Sequence, residues 1–225
     1  MLTDNNFRDI VNDVKLVKVV SKKPRDPVNV IMQPENWRCV GVGTSAAVFQ
    51  PRTCPEISIK VYADKFAKVA LEETEIYKQL GDSPFFPRYY GRGDNYLIIE
   101  FREGKSVHDC LVEGVFIPEQ VVHDVEEAIK YARGQGLNPS DIHIKNILVS
   151  KGRGYLVDVS DYRRSGECKR WETLKEVYYD YYIKMYSGGM TVPSWLLEII
   201  RKWYKANESE GNIKTFAERI IKMFF

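Results

Sequence analysis

The sequence predicts an α+β protein in which a sheet-rich N-terminal part precedes a helical C-terminal part. Two observations carry this prediction. Up to residue 101, short β-branched or aromatic runs alternate with Gly, Pro, Thr and Ser, a pattern typical of antiparallel strands. Beyond residue 103, the apolar residues recur at helical spacing instead.

The N-terminal part is predicted to form an antiparallel sheet with one accompanying helix. Residues 67–80 carry apolar side chains on one face and acids on the other, which indicates a helix. Gly81 and Pro84 follow it and are typical of a helix end. Strands are predicted at 28–32, 37–42, 46–50, 57–62, 86–90 and 96–101.

The C-terminal part is predicted to be mostly helical around one compact polar stretch, residues 138–159. Pro118 stands near the start of the first helix, where proline is tolerated. We expect an N-terminal extension at 1–36, an N-lobe at 37–102 and a C-lobe at 103–225. Helices are predicted at 118–133, 171–185, 194–205 and 212–225.

Composition excludes several classes of protein. The chain has 33 basic and 31 acidic residues, a balance that argues against a dedicated nucleic-acid binder. It has no apolar signal-peptide region and no apolar stretch long enough to span a membrane, so we expect a cytoplasmic protein without a membrane partner. Its four cysteines form no C-x-x-C pair, and we expect free thiols.

A glycine-rich run lies between the second and third predicted strands. It reads Gly41, Val42, Gly43, Thr44, Ser45, Ala46, Ala47, Val48. Glycines in such a loop allow backbone N–H groups to approach phosphate oxygens closely. Because a strand follows the run, it differs from the dinucleotide-binding pattern, in which a helix follows. A glycine-rich hairpin turn without a ligand is the alternative interpretation.

Lys60 ends an apolar strand, twelve residues after Val48. A lysine in that place is costly unless its ammonium group meets an anion, which a phosphate would supply, or reaches water at the sheet edge. A carboxylate on the following helix would hold it as an ion pair. Glu75 is the preferred partner, and Glu72, one turn earlier, is the alternative.

The polar stretch contains the most specific pattern. Asp141 and Asn146 have the spacing D-x-x-x-x-N, and Asp158 follows an apolar run twelve residues after Asn146. Carboxylate and amide oxygens are ligands that Mg²⁺ accepts. The pattern predicts Asn146 and Asp158 as magnesium ligands, and Asp141 as the residue that orients and deprotonates an attacking hydroxyl.

In the order of these motifs the chain resembles the protein kinase-like superfamily, especially minimal bacterial serine/threonine kinases and RIO-type kinases. The resemblance extends from about Trp37 to Tyr182. It implies a phosphotransferase that uses ATP and Mg²⁺, binds ATP between two lobes and acts on a protein with a Ser or Thr acceptor. By this resemblance, Lys60 contacts the α- and β-phosphates.

The resemblance also implies how adenine is bound. The run Leu97-Ile98-Ile99-Glu100-Phe101 matches the hinge of the family, with Ile99 as gatekeeper. The backbone of Glu100 and Arg102 would hydrogen-bond adenine. The implied nucleotide contacts are Gly41, Val42, Gly43, Thr44, Ser45, Ala46, Val48, Ser58, Lys60, Ile99, Glu100, Phe101, Arg102, Leu148 and Asp158.

The chain departs from the family pattern around the activation segment. Pro139-Ser140-Asp141 replaces H-R-D, so the arginine that reads a phosphorylated loop is missing. Asp158-Val159-Ser160 replaces D-F-G, no A-P-E follows, and only twelve residues separate Asp158 from Trp171. We therefore expect no regulation by phosphorylation of this segment.

Two other functions remain open from the sequence. His143 completes a D-x-H-x-x-N pattern similar to that of aminoglycoside and choline phosphotransferases, although few residues after Val159 remain to build a small-molecule pocket. A nucleotide-binding pseudokinase adaptor is the other alternative. It is disfavoured because a scaffold does not need the full set of catalytic residues, which is present as Lys60, Glu75, Asp141, Asn146 and Asp158.

Overall fold

The structure is a computed structural model that describes residues 4–140, 142–166, 170–186 and 188–206. The predicted base Asp141, one of the four cysteines, Cys168, and the helix predicted at 212–225 lie outside the described residues. Among the described residues, Cys39, Cys54 and Cys110 are free thiols, as predicted. No helix in this part of the chain has both the length and the apolar character needed to cross a membrane.

Helices and antiparallel strands are both present, as predicted. The helices are α1 (Asp4–Asp13), α2 (Ala67–Leu80), α3 (Val107–Glu113), α4 (Glu119–Gly134), α5 (Arg170–Val177), α6 (Ile183–Met185) and α7 (Ser194–Ala206). The strands are β1 (Lys18–Val20), β2 (Asn29–Met32), β3 (Trp37–Val42), β4 (Ala46–Pro51), β5 (Ile57–Tyr62), β6 (Tyr89–Arg92), β7 (Tyr96–Glu100), β8 (Lys105–Ser106), β9 (Ile147–Ser150) and β10 (Arg153–Leu156).

The predicted strand at 86–90 is the element that the sequence places wrongly. Strand β6 begins only at Tyr89, because Pro87 has no N–H to donate to a neighbouring strand. Phe86 is buried all the same, so the apolar run marks core packing there and not a strand. No element is predicted at α1, β1, β8 or α3, and the region of β9 and β10 is predicted only as a compact polar stretch.

The described chain divides into two units. The first comprises residues up to Glu103 together with Gly134–Leu137, and the second comprises Gly104–Arg133 and residues from Asn138 onward. The first unit contains a five-stranded antiparallel sheet of order β3-β4-β5-β7-β6 and the small hairpin β1-β2. The second contains the three-stranded sheet β10-β9-β8.

The N-terminal segment belongs to the core of the first unit. Strand β5 lies in the middle of the sheet, and alternate residues of a strand point to opposite faces. On one face Ile57, Ile59 and Val61 are buried in a cluster that also holds side chains from the first 28 residues. These are Ile10, Val14, Val19 and Val28. The opposite face of β5 carries Ser58, Lys60 and Tyr62.

A buried carboxylate anchors the β9-β10 hairpin to helix α4 in the second unit. Asp124 accepts hydrogen bonds from Arg153 Nε and Nη2 and from the Gly154 N–H, each at 2.8 Å, and from Gln120 Nε2 at 3.0 Å. Burial acts to raise the pKa of Asp124, but these hydrogen bonds outweigh it, and its pKa lies below the ordinary value.

The tyrosine-rich run after α5 forms a π-helical turn, Tyr178–Tyr182, in which Tyr178 and Tyr182 are buried. The Tyr178 hydroxyl donates to the Ile117 carbonyl at 3.0 Å, and the Tyr182 hydroxyl accepts from the Ile117 N–H at 2.9 Å. Burial raises the pKa of Tyr178 to about 12. These tyrosines therefore fix the loop between α3 and α4.

Replacing Asp124 by alanine should destabilise the protein by roughly 2–4 kcal/mol, because buried donors lose their acceptor. Arg153→Ala should cost less, since that side chain is 57% exposed and its loss leaves Gly154 and Gln120 bonded. Urea unfolding at neutral pH measures both variants. Equal losses would show that the hydrogen bonds from Gly154 and Gln120 add nothing to the contact with Arg153.

The lowered pKa of Asp124 predicts that the free energy of unfolding depends on pH in the acid range. The pKa of Asp124 is lowered in the folded protein. The stabilisation that its carboxylate gives the fold is therefore complete above the ordinary pKa of aspartate and is lost as the pH falls through the lowered value. The stability difference between wild type and Asp124→Ala should therefore shrink in acid. A difference that grows in acid would contradict the lowered pKa.

Candidate nucleotide-binding and phosphotransfer site

The glycine-rich run forms a tight hairpin between β3 and β4, with Thr44 and Ser45 at its tip. The Gly43 N–H donates to the Ala46 carbonyl at 2.8 Å and closes the turn. The Gly43 carbonyl accepts from the Val28 N–H at 2.9 Å, and the Ser45 carbonyl accepts from the Ala63 N–H at 3.0 Å. Backbone hydrogen bonds from Val28 and Ala63 thus hold the hairpin at Gly43 and at Ser45.

Packing does not explain the two glycines of this hairpin. A Cβ atom added at Gly41 would come no closer than 3.9 Å to another atom, and one at Gly43 no closer than 3.5 Å. Both values are ordinary contacts, so the fold itself would accept alanine at either position. Glycines without a packing constraint are compatible with close approach of a ligand to the backbone.

Lys60 lies in a buried ion pair in the middle of the sheet. Its Nζ contacts both carboxylate oxygens of Glu73 at 2.8 Å, and Glu73 is completely buried. The hydroxyl of Tyr62 also donates to Glu73, and the Lys60 ammonium lies 5.5 Å from the centre of the Tyr62 ring. A buried carboxylate requires such partners, because isolated charge is very costly away from water.

The prediction that Glu75 holds Lys60 is wrong, and so is the alternative, Glu72. Glu75 lies on the exposed side of α2 and pairs with Lys78 at 2.8 Å. The helical phase explains the difference, since the buried side of α2 includes Ala70, Glu73, Tyr77 and Leu80. Residues three and seven positions apart share a face of a helix. The position of Glu73 within this apolar stripe is the sequence signal that identifies it as the partner of Lys60.

Four residues predicted to surround the nucleotide share one face of the sheet with Lys60. Val48 is paired with Lys60 across β4 and β5, and Ile99 is paired with Ser58 across β5 and β7. Directly paired residues of antiparallel strands point to the same face. Gly41 is paired with Val48 and extends the same row toward the hairpin.

The predicted hinge begins at the end of β7. The Glu100 N–H donates to the Arg88 carbonyl at 2.7 Å, and the Phe101 N–H donates to the Glu56 carbonyl at 2.8 Å. The side chains of Glu100 and Arg102 form an ion pair at 2.9 Å. Because the Glu100 N–H is already engaged, an adenine contact by this residue would have to use its carbonyl oxygen.

In the second unit, the backbone brings Asn146 next to the chain that carries Asp158. The Val157 N–H donates to the Asn146 carbonyl at 3.1 Å and extends the pairing of β9 with β10 by one residue pair. Asp158 Oδ1 accepts from the Ser160 N–H at 3.1 Å, and Val159 between them is fully buried. The two predicted magnesium ligands therefore stand at the same end of this hairpin.

No group of three or more His, Cys, Asp or Glu side chains among the described residues is placed to hold a metal ion. Asn146 and Asp158 form a smaller set, one amide and one carboxylate, which are oxygen ligands of the type that Mg²⁺ accepts.

Leu148, predicted to contact adenine, is half-buried on β9 opposite Tyr155.

The loop around the predicted catalytic base has a defined local structure, although Asp141 itself lies outside the described residues. His143 Nδ1 accepts from the Lys145 N–H at 3.2 Å, and the His143 carbonyl accepts from the Asn146 N–H at 2.8 Å. His143 thus closes the turn that leads into Asn146. The Ile144 carbonyl accepts from the His108 N–H at 2.9 Å and ties the loop to α3.

Comparison with known proteins identifies the family. The chain is 33% identical over 187 residues to a protein of Bacillus subtilis (strain 168) named "Putative serine/threonine-protein kinase YrzF", and this match covers 82% of the chain and 85% of the relative. The chain belongs to the protein kinase-like superfamily. This confirms the resemblance found in the sequence and the α+β kinase-like fold.

Two further similarities are more restricted. Wee1-like protein kinase 2-B of Xenopus laevis is 33% identical over 96 residues, which are 37% of this chain and 17% of that protein. The structure of the Mycobacterium tuberculosis PknI kinase domain aligns with a TM-score of 0.44 at 20% identity, and the match covers 56% of this chain and 60% of the kinase-domain chain. No protein-family model matches the chain.

Replacing Glu73 by glutamine should lower phosphate transfer by roughly a hundred-fold, since misplacement of a positioning group has costs of that order. Glu75→Gln is a matched control on the same helix, and it should leave transfer nearly unchanged because Glu75 pairs with Lys78 on the surface. Initial rates with γ-labelled ATP, normalised to folded protein by circular dichroism, measure both. A larger loss for Glu75→Gln would contradict the ion pair seen here.

Proposed function

We propose that this protein is an ATP- and Mg²⁺-dependent kinase that transfers the γ-phosphate to serine or threonine hydroxyls of proteins. The observation that carries this proposal is the Lys60 ammonium, fixed by Glu73 and Tyr62 on the sheet face that also bears Val48 and Ser58. The name of the Bacillus subtilis relative supports the choice of serine or threonine.

The first unit would bind the nucleotide. Lys60 would contact the α- and β-phosphates, and its bidentate contact with Glu73 limits the directions in which the ammonium can move. Because the Gly43 N–H closes the hairpin turn, the N–H groups of Thr44 and Ser45 are the ones proposed to cover the phosphates. The room for a Cβ at Gly41 and Gly43 supports a role in ligand approach.

The second unit would supply the metal ligands and the base. Asn146 and Asp158 would hold Mg²⁺, which when bound offsets the negative charge of the phosphates. Asp141 would orient the acceptor hydroxyl and take its proton. The hydrogen bond from the Val157 N–H to the Asn146 carbonyl supports this assignment, because it keeps the two proposed ligands at one end of the hairpin.

Mutation of the two aspartates should separate nucleotide binding from transfer. Asp158→Ala should weaken the stabilisation that Mg-ATP gives, whereas Asp141→Asn should keep it and abolish transfer, because only Asp141 acts on the acceptor. Thermal-shift titrations with ATP, with and without Mg²⁺, and transfer assays measure the two effects. If Asp141→Asn lost binding while Asp158→Ala stayed active, the roles would be wrong.

A small-molecule kinase is the second candidate, and His143 favours it because of the D-x-H-x-x-N pattern. The turn-closing contacts of His143 give that residue a structural role in a protein kinase as well. Only twelve residues separate Asp158 from Trp171, which leaves little chain to enclose a small acceptor.

A panel of acceptors should decide between these functions. We expect γ-labelled phosphate on protein Ser or Thr, including the enzyme itself, and little turnover of aminoglycosides or choline. Phosphoamino-acid analysis and thin-layer chromatography provide the readouts, with Asp141→Asn as the blank. Transfer to a small alcohol alone would overturn the proposal in favour of the second candidate. Bound Mg-ATP without any transfer would favour a pseudokinase.

A further inference from the structure

Asn138 and Ser140, which precede the proposed base, make a set of hydrogen bonds to the chain that follows Asp158. The Asn138 N–H donates to the Tyr162 carbonyl at 2.8 Å. The Asn138 side-chain Nδ2 donates to the carbonyls of Arg164 at 2.7 Å and Gly166 at 2.9 Å. Ser140 Oγ donates to the Asp161 carbonyl at 2.7 Å. We call these four contacts the clasp, and residues 161–166 the clasped segment.

The clasped segment also has internal contacts that favour one conformation. The Tyr162 N–H donates to the Val159 carbonyl at 3.1 Å, and the Arg164 N–H donates to the Asp161 carbonyl at 3.1 Å. Arg164 Nε and Asp161 Oδ1 form an ion pair at 2.9 Å. The side chain of Tyr162 is 1% exposed and anchors the segment in the core of the second unit.

The chemistry of the clasp differs from that of a phosphorylation-dependent contact. All four accepting groups are backbone carbonyls, and the side-chain donors are a neutral amide and a neutral hydroxyl. A phosphate group would offer oxygens that an arginine pairs with, and Ser140 stands where such an arginine would be. The clasp therefore needs no added charge to form.

We infer that Asn138 and Ser140 are positioning residues that hold the clasped segment in place without phosphorylation. The inference rests on the proposed function for its effect on catalysis, because the clasped segment follows the proposed metal ligand Asp158 directly. Val159 is fully buried and its carbonyl accepts from Tyr162, so a displaced segment would pull on the backbone beside Asp158. The clasp thus restrains a proposed metal ligand through the chain.

Hydrogen exchange tests the clasp independently of activity. Asn138→Asp keeps the side-chain shape but replaces an amide donor by a carboxylate that faces two carbonyls. The amides of Asn138, Tyr162 and Arg164 should then exchange about ten- to a hundred-fold faster, since the bonds that protect them open more often. Ser140→Ala should show a smaller increase, Ser140→Thr should restore protection, and Ser165→Ala is the control for an exposed serine of the same segment.

Kinetics distinguish positioning from general destabilisation. Asn138→Asp should lower kcat several-fold while the KM for ATP stays near the wild-type value, because Asn138 is not in the unit that carries Lys60. Phosphatase treatment of the wild type should change neither kcat nor the exchange of the segment. Unchanged exchange in Asn138→Asp, or loss of protection after phosphatase treatment, would overturn the inference.

The two proposals fail in different ways. If the wild type binds Mg-ATP but transfers no phosphate to any acceptor, the proposed function fails, and the exchange data still decide whether the clasp holds the segment. If transfer is present and the kcat of Asn138→Asp equals that of the wild type, the clasp has no role in positioning and the inference fails alone.

Discussion

A buried ionic contact sets the main constraint on the first unit. A carboxylate without any exposure to water is tolerated only if its oxygens are satisfied, and Lys60 and Tyr62 do this for Glu73. The pair therefore fixes α2 against the central strand of the sheet. Strand order, helix phase and the position of the ammonium group all have to agree for this contact to form.

In the second unit, backbone pairing and neutral hydrogen bonds act on the chain around the proposed metal ligands. Backbone pairing continues past β9 and β10 to join Asn146 and Val157, and neutral hydrogen bonds from Asn138 and Ser140 hold the chain beyond Asp158. Electrostatic restraint in one unit and backbone hydrogen bonding in the other thus position different parts of the proposed machinery.

Elements whose patterns are local are predictable from the sequence. Strand β3, strand β5 and helix α2 lie where periodicity predicts them, because a half-buried strand or helix imposes its period directly on the sequence. The partner of Lys60 was missed because its choice depends on which side of α2 is buried, and charged residues there were assumed to face water. The clasp cannot be predicted from the sequence, because its acceptors are backbone carbonyl groups, which every residue carries.

The packing of the N-terminal segment has a consequence for how this protein can evolve. Ile10, Val14, Val19 and Val28 lie behind the strand whose front carries Lys60, yet none of them belongs to a recognisable motif. Substitutions that change their volume would alter the stiffness of that strand without touching any proposed nucleotide contact. Relatives with identical motifs could therefore differ in thermal optimum and catalytic rate through residues that motif comparison ignores.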